Sequence, residues 1–271
     1  MNLSDIGPVV LVGAGKMGLA LARGWIAGGL PADRLVLVDP NPSEAAATFA
    51  VEHGVRLLPD PSGVLTHVLV LAVKPQIIYD VMAQIQPVVG SYTLVLSIAA
   101  GIPLAGLSEG LQTERVVRAM PNTPAQVGRG VSGVVALNIT GEDREVADAL
   151  LGAAGQVAWF DDEAKIDAVT AVSGSGPAYV FYMVEALAAA ARQQGLDEEQ
   201  AMQLARATVT GAAALMDADP TPASTLRENV TSPNGTTFAA LQVLMAEDGL
   251  TPLMQRAVDA ARRRSEELGR A

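Results

Sequence analysis

Short, continuous runs of apolar residues recur through the first half of the chain, at Val9–Val12, Leu35–Val38, Val68–Val73, Leu94–Ile98 and Val116–Met120. None alternates with polar residues, so each predicts a strand buried on both faces. Between several of them the period lengthens to that of a helix, as in Leu19–Ala27, Ser43–Glu52 and Ile77–Ile85. Buried strands alternating with helices predict a doubly wound α/β domain, a parallel sheet with helices on both faces. Val131–Leu137 and Val157–Phe160 are candidate strands that extend or edge that sheet.

After Asp161 the texture changes. No convincing strand follows Ala164, and Ala, Leu, Met and Glu dominate. Helices are expected over Ala178–Gln194, Glu198–Asp217, Thr236–Glu247 and Pro252–Leu268, with Gly195, Pro220 and Pro222 as stops. We therefore expect a doubly wound α/β domain over 1–162 and an all-α domain over 163–271, with Asp161–Glu163 as the hinge. Apolar positions spread around these helices beyond what their polar residues can cover, which predicts an oligomer interface.

Composition narrows the chemistry. The chain has 271 residues, half of them hydrophobic, enough for a core and too many for disorder. With 18 basic and 29 acidic residues its net charge is −11, which argues against nucleic acid and anionic membrane as partners. The Arg262–Arg264 cluster lies beside Glu266 and Glu267 and reads as a solvated helix face. Zero cysteines exclude a disulfide framework, a thiolate nucleophile and a Cys-based zinc site. His53 and His67 are the only histidines, so a histidine metal cluster is not expected and no metal is assigned. Met1–Gly7 lacks the layout of a secretion signal, and no apolar stretch approaches the ~18–20 residues needed to span a bilayer. The expectation is a soluble, cytoplasmic protein.

The first strand runs into Gly13-Ala14-Gly15-Lys16-Met17-Gly18, a G-x-G-x-x-G that closes a strand and opens a helix. Gly13 suits the tight turn, Gly15 the approach of a pyrophosphate, and Gly18 close packing of helix on strand. The helix N-terminus favours the phosphate charge. Asp39 ends the second strand, at about the 20-residue distance where an acidic side chain reaches the adenosine ribose. No Arg or Lys follows in Pro40–Ser43 to accommodate a 2′-phosphate, so the cofactor reading leans towards NADH over NADPH. The plain alternative is a ligand-free strand–helix turn with an exposed Asp.

Further motifs stand where such a sheet would place a ligand. Ala72-Val73-Lys74-Pro75-Gln76 follows one strand and would bring Lys74 to the crevice at the strands' carboxyl ends. Ser97-Ile98-Ala99-Ala100-Gly101 follows another with small residues that let a ring approach backbone. Met120-Pro121-Asn122-Thr123-Pro124 fixes one amide and one hydroxyl between two prolines, or is simply a rigid turn. Ser173–Tyr179 brings two Ser, two Gly and Pro177 to the start of a long helix. Thr231-Ser232-Pro233-Asn234-Gly235-Thr236-Thr237 opens another, and its four hydroxyls with free N–H groups would make an anion site without a cation.

The ordered set Gly13–Gly18, Ala72–Gln76, Met120–Pro124, Ser173–Tyr179 and Ser232–Thr237 resembles the pyrroline-5-carboxylate reductases over essentially the whole chain. Asn234 stands where many members have Gly, and Asp39-Pro40-Asn41 lies in a stretch that varies between members. The resemblance implies a Rossmann-type domain followed by an all-α dimerisation domain. It implies reduction of a cyclic imino acid, 1-pyrroline-5-carboxylate, to L-proline by NAD(P)H, the last step of proline biosynthesis.

Carried over by similarity, the dinucleotide falls on Val12, Gly13, Ala14, Gly15, Lys16, Met17, Asp39, Ala72, Val73, Lys74, Pro75, Ile98, Ala99, Ala100 and Asn229. The substrate falls on Glu163, Ser232, Gly235, Thr236 and Thr237, with Thr237 the favoured hydroxyl at the ring nitrogen. Interlocked homodimers through the helical domain are implied, sometimes assembled further, with the site completed across the subunit boundary. A protonated imine is already electrophilic, so placement and one proton suffice, without His, Cys or metal. The alternatives are a β-hydroxyacid dehydrogenase, which would need a lysine on a helix of the second domain, another imine reductase on the same fold, and a non-catalytic NAD(P)-sensing module. Lys165 is the only lysine of the helical part.

Overall fold

A computed structural model describes residues 1–269 and gathers the apolar runs into one sheet. Its strands are β1 Val9–Val12, β2 Leu35–Val38, β3 Arg56–Leu58, β4 Val68–Leu71, β5 Leu94–Ser97, β6 Val116–Met120, β7 Gly130–Leu137 and β8 Gly155–Trp159. The order is β3-β2-β1-β4-β5-β6-β7-β8. The first six are mutually parallel. At β7 the direction reverses: β7 pairs antiparallel with β6, and β8 runs parallel to β7. The two candidate strands thus join the sheet, as an antiparallel extension. A tight link through Thr123–Val127 returns the chain beside β6 and leaves no room for the crossover helix that a parallel neighbour requires.

Every residue of β1, β2, β4 and β5 is buried. Successive side chains point to opposite faces, and two apolar clusters form accordingly, one containing Val9 and Leu11, the other Val10 and Val12. Helices of this unit are α1 Lys16–Ala27, α2 Glu44–His53, α3 Ile78–Ile85, α4 Leu104–Leu111, α5 Gly141–Gly152 and α6 Lys165–Val169. Strand β3 and helices α4, α5 and α6 are not among the elements the apolar pattern marks. In β3, Arg56 is exposed and Leu57 and Leu58 are only partly buried. Helix α4 carries Gly106 and Gly110, which lower helix propensity but let it approach α3. A Cβ on Gly110 would fall 2.7 Å from the Met82 Cε, and one on Gly106 3.0 Å from the Tyr79 hydroxyl.

The chain divides into two compact units, one of residues up to Gly174 together with those from Arg262 on, the other Ser175–Ala261. This division falls later than the sequence boundary at 162/163. Residues 163–174 stay with the sheet because Glu163 bonds to α4 and β6 and because α6 packs on β7. A π-helical turn, Thr170–Gly174, ends the stretch.

The second unit contains α7 Gly176–Gln193, α8 Glu198–Ala218, α9 Ala223–Asn229, α10 Thr236–Leu244 and the first part of α11, which spans Leu250–Gly269. Helix α8 opens with a capping box between Asp197 and Gln200. Helix α9, seven residues following Pro222, is too short for its period to be read from sequence. Among the described residues no helix is long and apolar enough to cross a membrane.

Candidate active site

The site begins where β1 and β4 lie side by side and the chain leaves them in opposite senses of the sheet order, the place where open α/β sheets bind ligands. Backbone bonds tie the loops there together. The Gly13 N–H donates to the Val38 carbonyl (2.8 Å), Ala72 N–H to Val12 (2.8 Å) and Ile98 N–H to Leu71 (2.9 Å). Val12–Met17, Asp39, Ala72–Pro75 and Ile98–Ala100 therefore share one edge of the sheet.

The glycine loop has the geometry its residue types require. Gly13 has φ +98°, and a Cβ there would press on the Ala72 carbonyl at 2.7 Å. A Cβ on Gly18 would come within 2.3 Å of the Gly13 oxygen, so only glycine lets α1 start this close to the strand. Gly15 differs. A Cβ there would meet nothing within 4 Å, so packing within the chain does not require glycine at this position. Gly15 also caps α1 without a side chain, leaving the first-turn N–H groups of Lys16, Met17 and Gly18 unsatisfied within the helix. An open approach and outward N–H groups fit a pyrophosphate.

Asp39 is half-buried at the end of β2. Its Oδ2 accepts the Ala14 N–H (3.0 Å) and its Oδ1 the Asn41 N–H (3.0 Å). The carboxylate thus fixes the glycine loop to the end of β2. Lys74 is exposed just past the end of β4 and opens the short 3-10 turn Pro75–Ile77. Ile98 and Ala99 are buried and Ala100 is exposed. The Ser97 hydroxyl accepts the Ala99 N–H at 3.3 Å, a support not singled out in the sequence.

Asn122 is structural. Its Oδ1 accepts the Val131 N–H (2.9 Å) and its Nδ2 donates to the Ser173 carbonyl (3.1 Å), so the rigid-turn reading of that motif holds. Glu163 has two partners on one oxygen. Oε1 accepts the Leu104 N–H (2.8 Å) and the Arg118 Nη1 (2.6 Å). Arg118 was legible in principle: a charged residue amid Val-Val-Arg-Ala-Met, in a strand buried on both faces, must find a buried acid.

In the second unit, the Ser232–Thr237 turn opens α10. Asn234 takes the left-handed conformation (φ +56°) that the family's Gly would take at no cost. Gly235 caps the helix without a side-chain bond, and a Cβ there would lie 3.1 Å from the Ser232 carbonyl. The expected convergence of four hydroxyls is corrected to three. The Thr231 hydroxyl donates to the Arg227 carbonyl (2.6 Å) and closes the end of α9. Ser232, Thr236 and Thr237 remain, with Thr236 exposed and Thr237 half-buried. Asn229 is exposed at the end of α9.

The sheet edge with its glycine loop defines a nicotinamide-dinucleotide-dependent oxidoreductase. A family model described as NADP oxidoreductase, coenzyme F420-dependent, matches residues 8–101. Another, described as pyrroline-5-carboxylate reductase dimerisation, matches residues 163–268. The pyrroline-5-carboxylate reductase of Pseudomonas aeruginosa is 41% identical over 264 residues, covering 96% of each chain. Among solved structures, that of the Coxiella burnetii pyrroline-5-carboxylate reductase superposes with a TM-score of 0.89 at 35% identity, covering 97% of this chain and 98% of that one. The Plasmodium falciparum pyrroline carboxylate reductase with NADP bound gives 0.81 at 28% identity, with 97% and 98% covered. The chain belongs to the pyrroline-5-carboxylate reductase family. These matches do not favour the hydroxyacid-dehydrogenase or sensor readings.

Proposed function

We propose that this chain reduces 1-pyrroline-5-carboxylate to L-proline with a reduced nicotinamide dinucleotide. The observation that carries this reading is the match of nearly the whole chain to proteins of that name. When bound, the reduced nicotinamide supplies the hydride. The N–H groups at the start of α1 hold the pyrophosphate, and Asp39 holds the ribose. Val12–Met17, Ala72–Pro75 and Ile98–Ala100 line the dinucleotide, and Asn229 is a further contact that similarity to the family suggests.

The start of α10 holds the substrate carboxylate. Its first N–H groups carry the positive end of the helix dipole, and the Ser232 and Thr236 hydroxyls add donors. The Thr237 Oγ1 holds the proton at the ring nitrogen, and Gly235 keeps the backbone bare beneath it. The substrate contact that similarity assigns to Glu163 competes with a structural role, since its carboxylate already accepts the Leu104 N–H and the Arg118 Nη1.

The preference for NADH rests on Asp39. A carboxylate at that place opposes a 2′-phosphate, and Pro40-Asn41-Pro42-Ser43 brings no cation to offset it. The Plasmodium falciparum relative holds NADP, so the preference is a property to be measured for this chain. We further propose that the second unit forms a homodimer, as the match to a dimerisation family supports.

Initial rates of NADH and NADPH oxidation test the reading, with pyrroline-5-carboxylate and its six-membered homologue as substrates. Faster turnover of the five-membered ring is expected. Failure to reduce it, with dinucleotide binding intact, would overturn the substrate assignment.

A further inference from the structure

We propose that Glu163 is a positioning residue for the dinucleotide, its carboxylate tying the α4 end of the 98–103 segment to Arg118 of β6 at the carboxyl edge of the sheet. This rests on the reading that Ile98–Ala100 lines the dinucleotide.

Arg118 lies directly across from Ser97 in the β5–β6 register, at the point where the segment leaves the sheet. Leu104 is the residue where it re-enters regular structure as the first residue of α4. Glu163 Oε1 accepts from both, at 2.6 and 2.8 Å. Helix α4 has Pro103 at its N-cap and no side-chain cap of its own, so Glu163 supplies that cap from a distant part of the sequence. A negative charge there is also favoured by the helix dipole.

Ile98, Ala99 and Ile102 are buried and the Ile98 N–H bonds to the Leu71 carbonyl, so the least held part of the segment is the turn at Ala100–Gly101. Gly101 is in the left-handed region (φ +76°) and imposes little of its own conformation. Beside it lies a cavity of about 290 Å³ whose lining includes Gly101, Pro103, Arg118, Glu163, Asp167 and Glu266. Space on that side means packing alone does not fix the turn. Arg118, with its side chain only 9% exposed, is an anchor that cannot swing into solvent. The carboxylate therefore clamps the start of α4 to Arg118 of β6, and Ile98–Ala100 leads from β5 towards that clamped end.

The test reads the segment and the ligand separately. Amide hydrogen exchange over 98–104 is measured in wild type, Glu163→Ala and Glu163→Gln without ligand. Dissociation constants for NADH and NADPH are measured by calorimetry, and the KM for pyrroline-5-carboxylate by initial rates. In Glu163→Ala, faster exchange at Leu104 and about tenfold weaker binding of both dinucleotides are expected, with the imine KM within about twofold. Glu163→Gln keeps an oxygen that accepts the Leu104 N–H and should recover most of that affinity.

Unchanged exchange and dinucleotide affinity in Glu163→Ala would overturn the proposal. So would a rise confined to the imine KM, which would make Glu163 a substrate contact. If Glu163→Ala does not fold, the Arg118→Met/Glu163→Ala pair leaves no unpaired buried charge and carries the same expectation, with unchanged affinity again overturning it. A wild type that binds neither dinucleotide would instead sink the crevice reading, an outcome distinct from equal binding by wild type and variant.

Discussion

The two units of the chain differ in where their apolar surface goes. In the sheet unit the central strands are buried along their whole length, and helices cover both faces. In the helical unit the buried cluster amounts to Ala188, Ala201 and Ala205, while Phe181, Tyr182 and Val243 are 63%, 70% and 71% exposed. A sheet closed by its own crossover helices hides its apolar area within one chain. Helices that are apolar on more than one face do not, and exposed patches of this kind mark an interface. The first unit thus hides its apolar area within the chain, whereas the second leaves it exposed, as the homodimer proposed from its match to a dimerisation family requires.

The sharpest way to break that contrast is a charge on α7. Phe181→Glu places an uncompensated carboxylate in the proposed interface, at a cost of roughly 4 kcal/mol or more if it is buried. Sedimentation should show monomer where the wild type shows dimer or a larger assembly, while the sheet unit keeps its dinucleotide affinity. Undiminished assembly would place the interface elsewhere.

The next expected effect is in the sheet unit. Gly15 has ordinary extended backbone (φ −74°, ψ −175°) and open space in front of it. Gly15→Val should therefore leave thermal stability nearly unchanged and weaken dinucleotide binding by about 100-fold or more, since the added atoms occupy the ligand's place. The same change at Gly18 would strike the Gly13 carbonyl and destabilise the fold as well. Calorimetry with NADH and a melting curve separate the two cases.

The sheet unit was the more legible of the two for the same reason that it is self-contained. Val9–Val12, Leu35–Val38 and Val116–Met120 are strands over the expected residues, because an apolar run buried on both faces has one structural use. Helix α4 was not visible, since its glycines serve packing against Tyr79 and Met82, which are distant in sequence. The same holds for the site. Gly13 and Gly18 declare their geometry locally, whereas the pairing of Glu163 with Arg118 and Leu104 is a product of the fold. Thr231 shows the reverse error: a hydroxyl counted towards ligand binding that the end of α9 uses first.

A third prediction concerns how the sheet unit holds its own polar groups. Asp143 is nearly fully buried, and burial by itself would raise its pKa. Hydrogen bonds from Arg115 and from Thr140, with the charge of Arg115, outweigh that and hold it below the usual carboxylate value. Because the folded pKa is depressed, the stabilisation is complete above the unfolded value of about 3.9 and is lost as pH falls through the folded value. Asp143→Asn removes one partner of the pair and part of the α5 capping box, and should cost about 2–4 kcal/mol near neutral pH. Urea titrations at pH 7 and in acid should show the gap between wild type and variant closing as Asp143 protonates.

Thr237→Ala probes the second unit at the scale of a single hydrogen bond. A loss of about 1–3 kcal/mol in kcat/KM for the imine is expected, with NADH affinity little changed. Wild-type kinetics would remove the Thr237 hydroxyl from the reaction.

The smallest effect is expected at Asp39, where two roles meet in one carboxylate. One is the proposed selection, in which the charge opposes a 2′-phosphate. The other is support, because Oδ2 accepts the Ala14 N–H and so braces the glycine loop that any dinucleotide uses. Asp39→Ser removes the charge and shortens the side chain, so affinity for both dinucleotides should fall through the loop. Only the NADH penalty also includes the lost ribose contact, and only NADPH gains from the lost repulsion. The ratio of kcat/KM for NADPH to that for NADH should therefore rise by about three- to tenfold, roughly 1 kcal/mol, even as both values drop. A parallel fall of both with an unchanged ratio would leave Asp39 a brace for the loop and no selector.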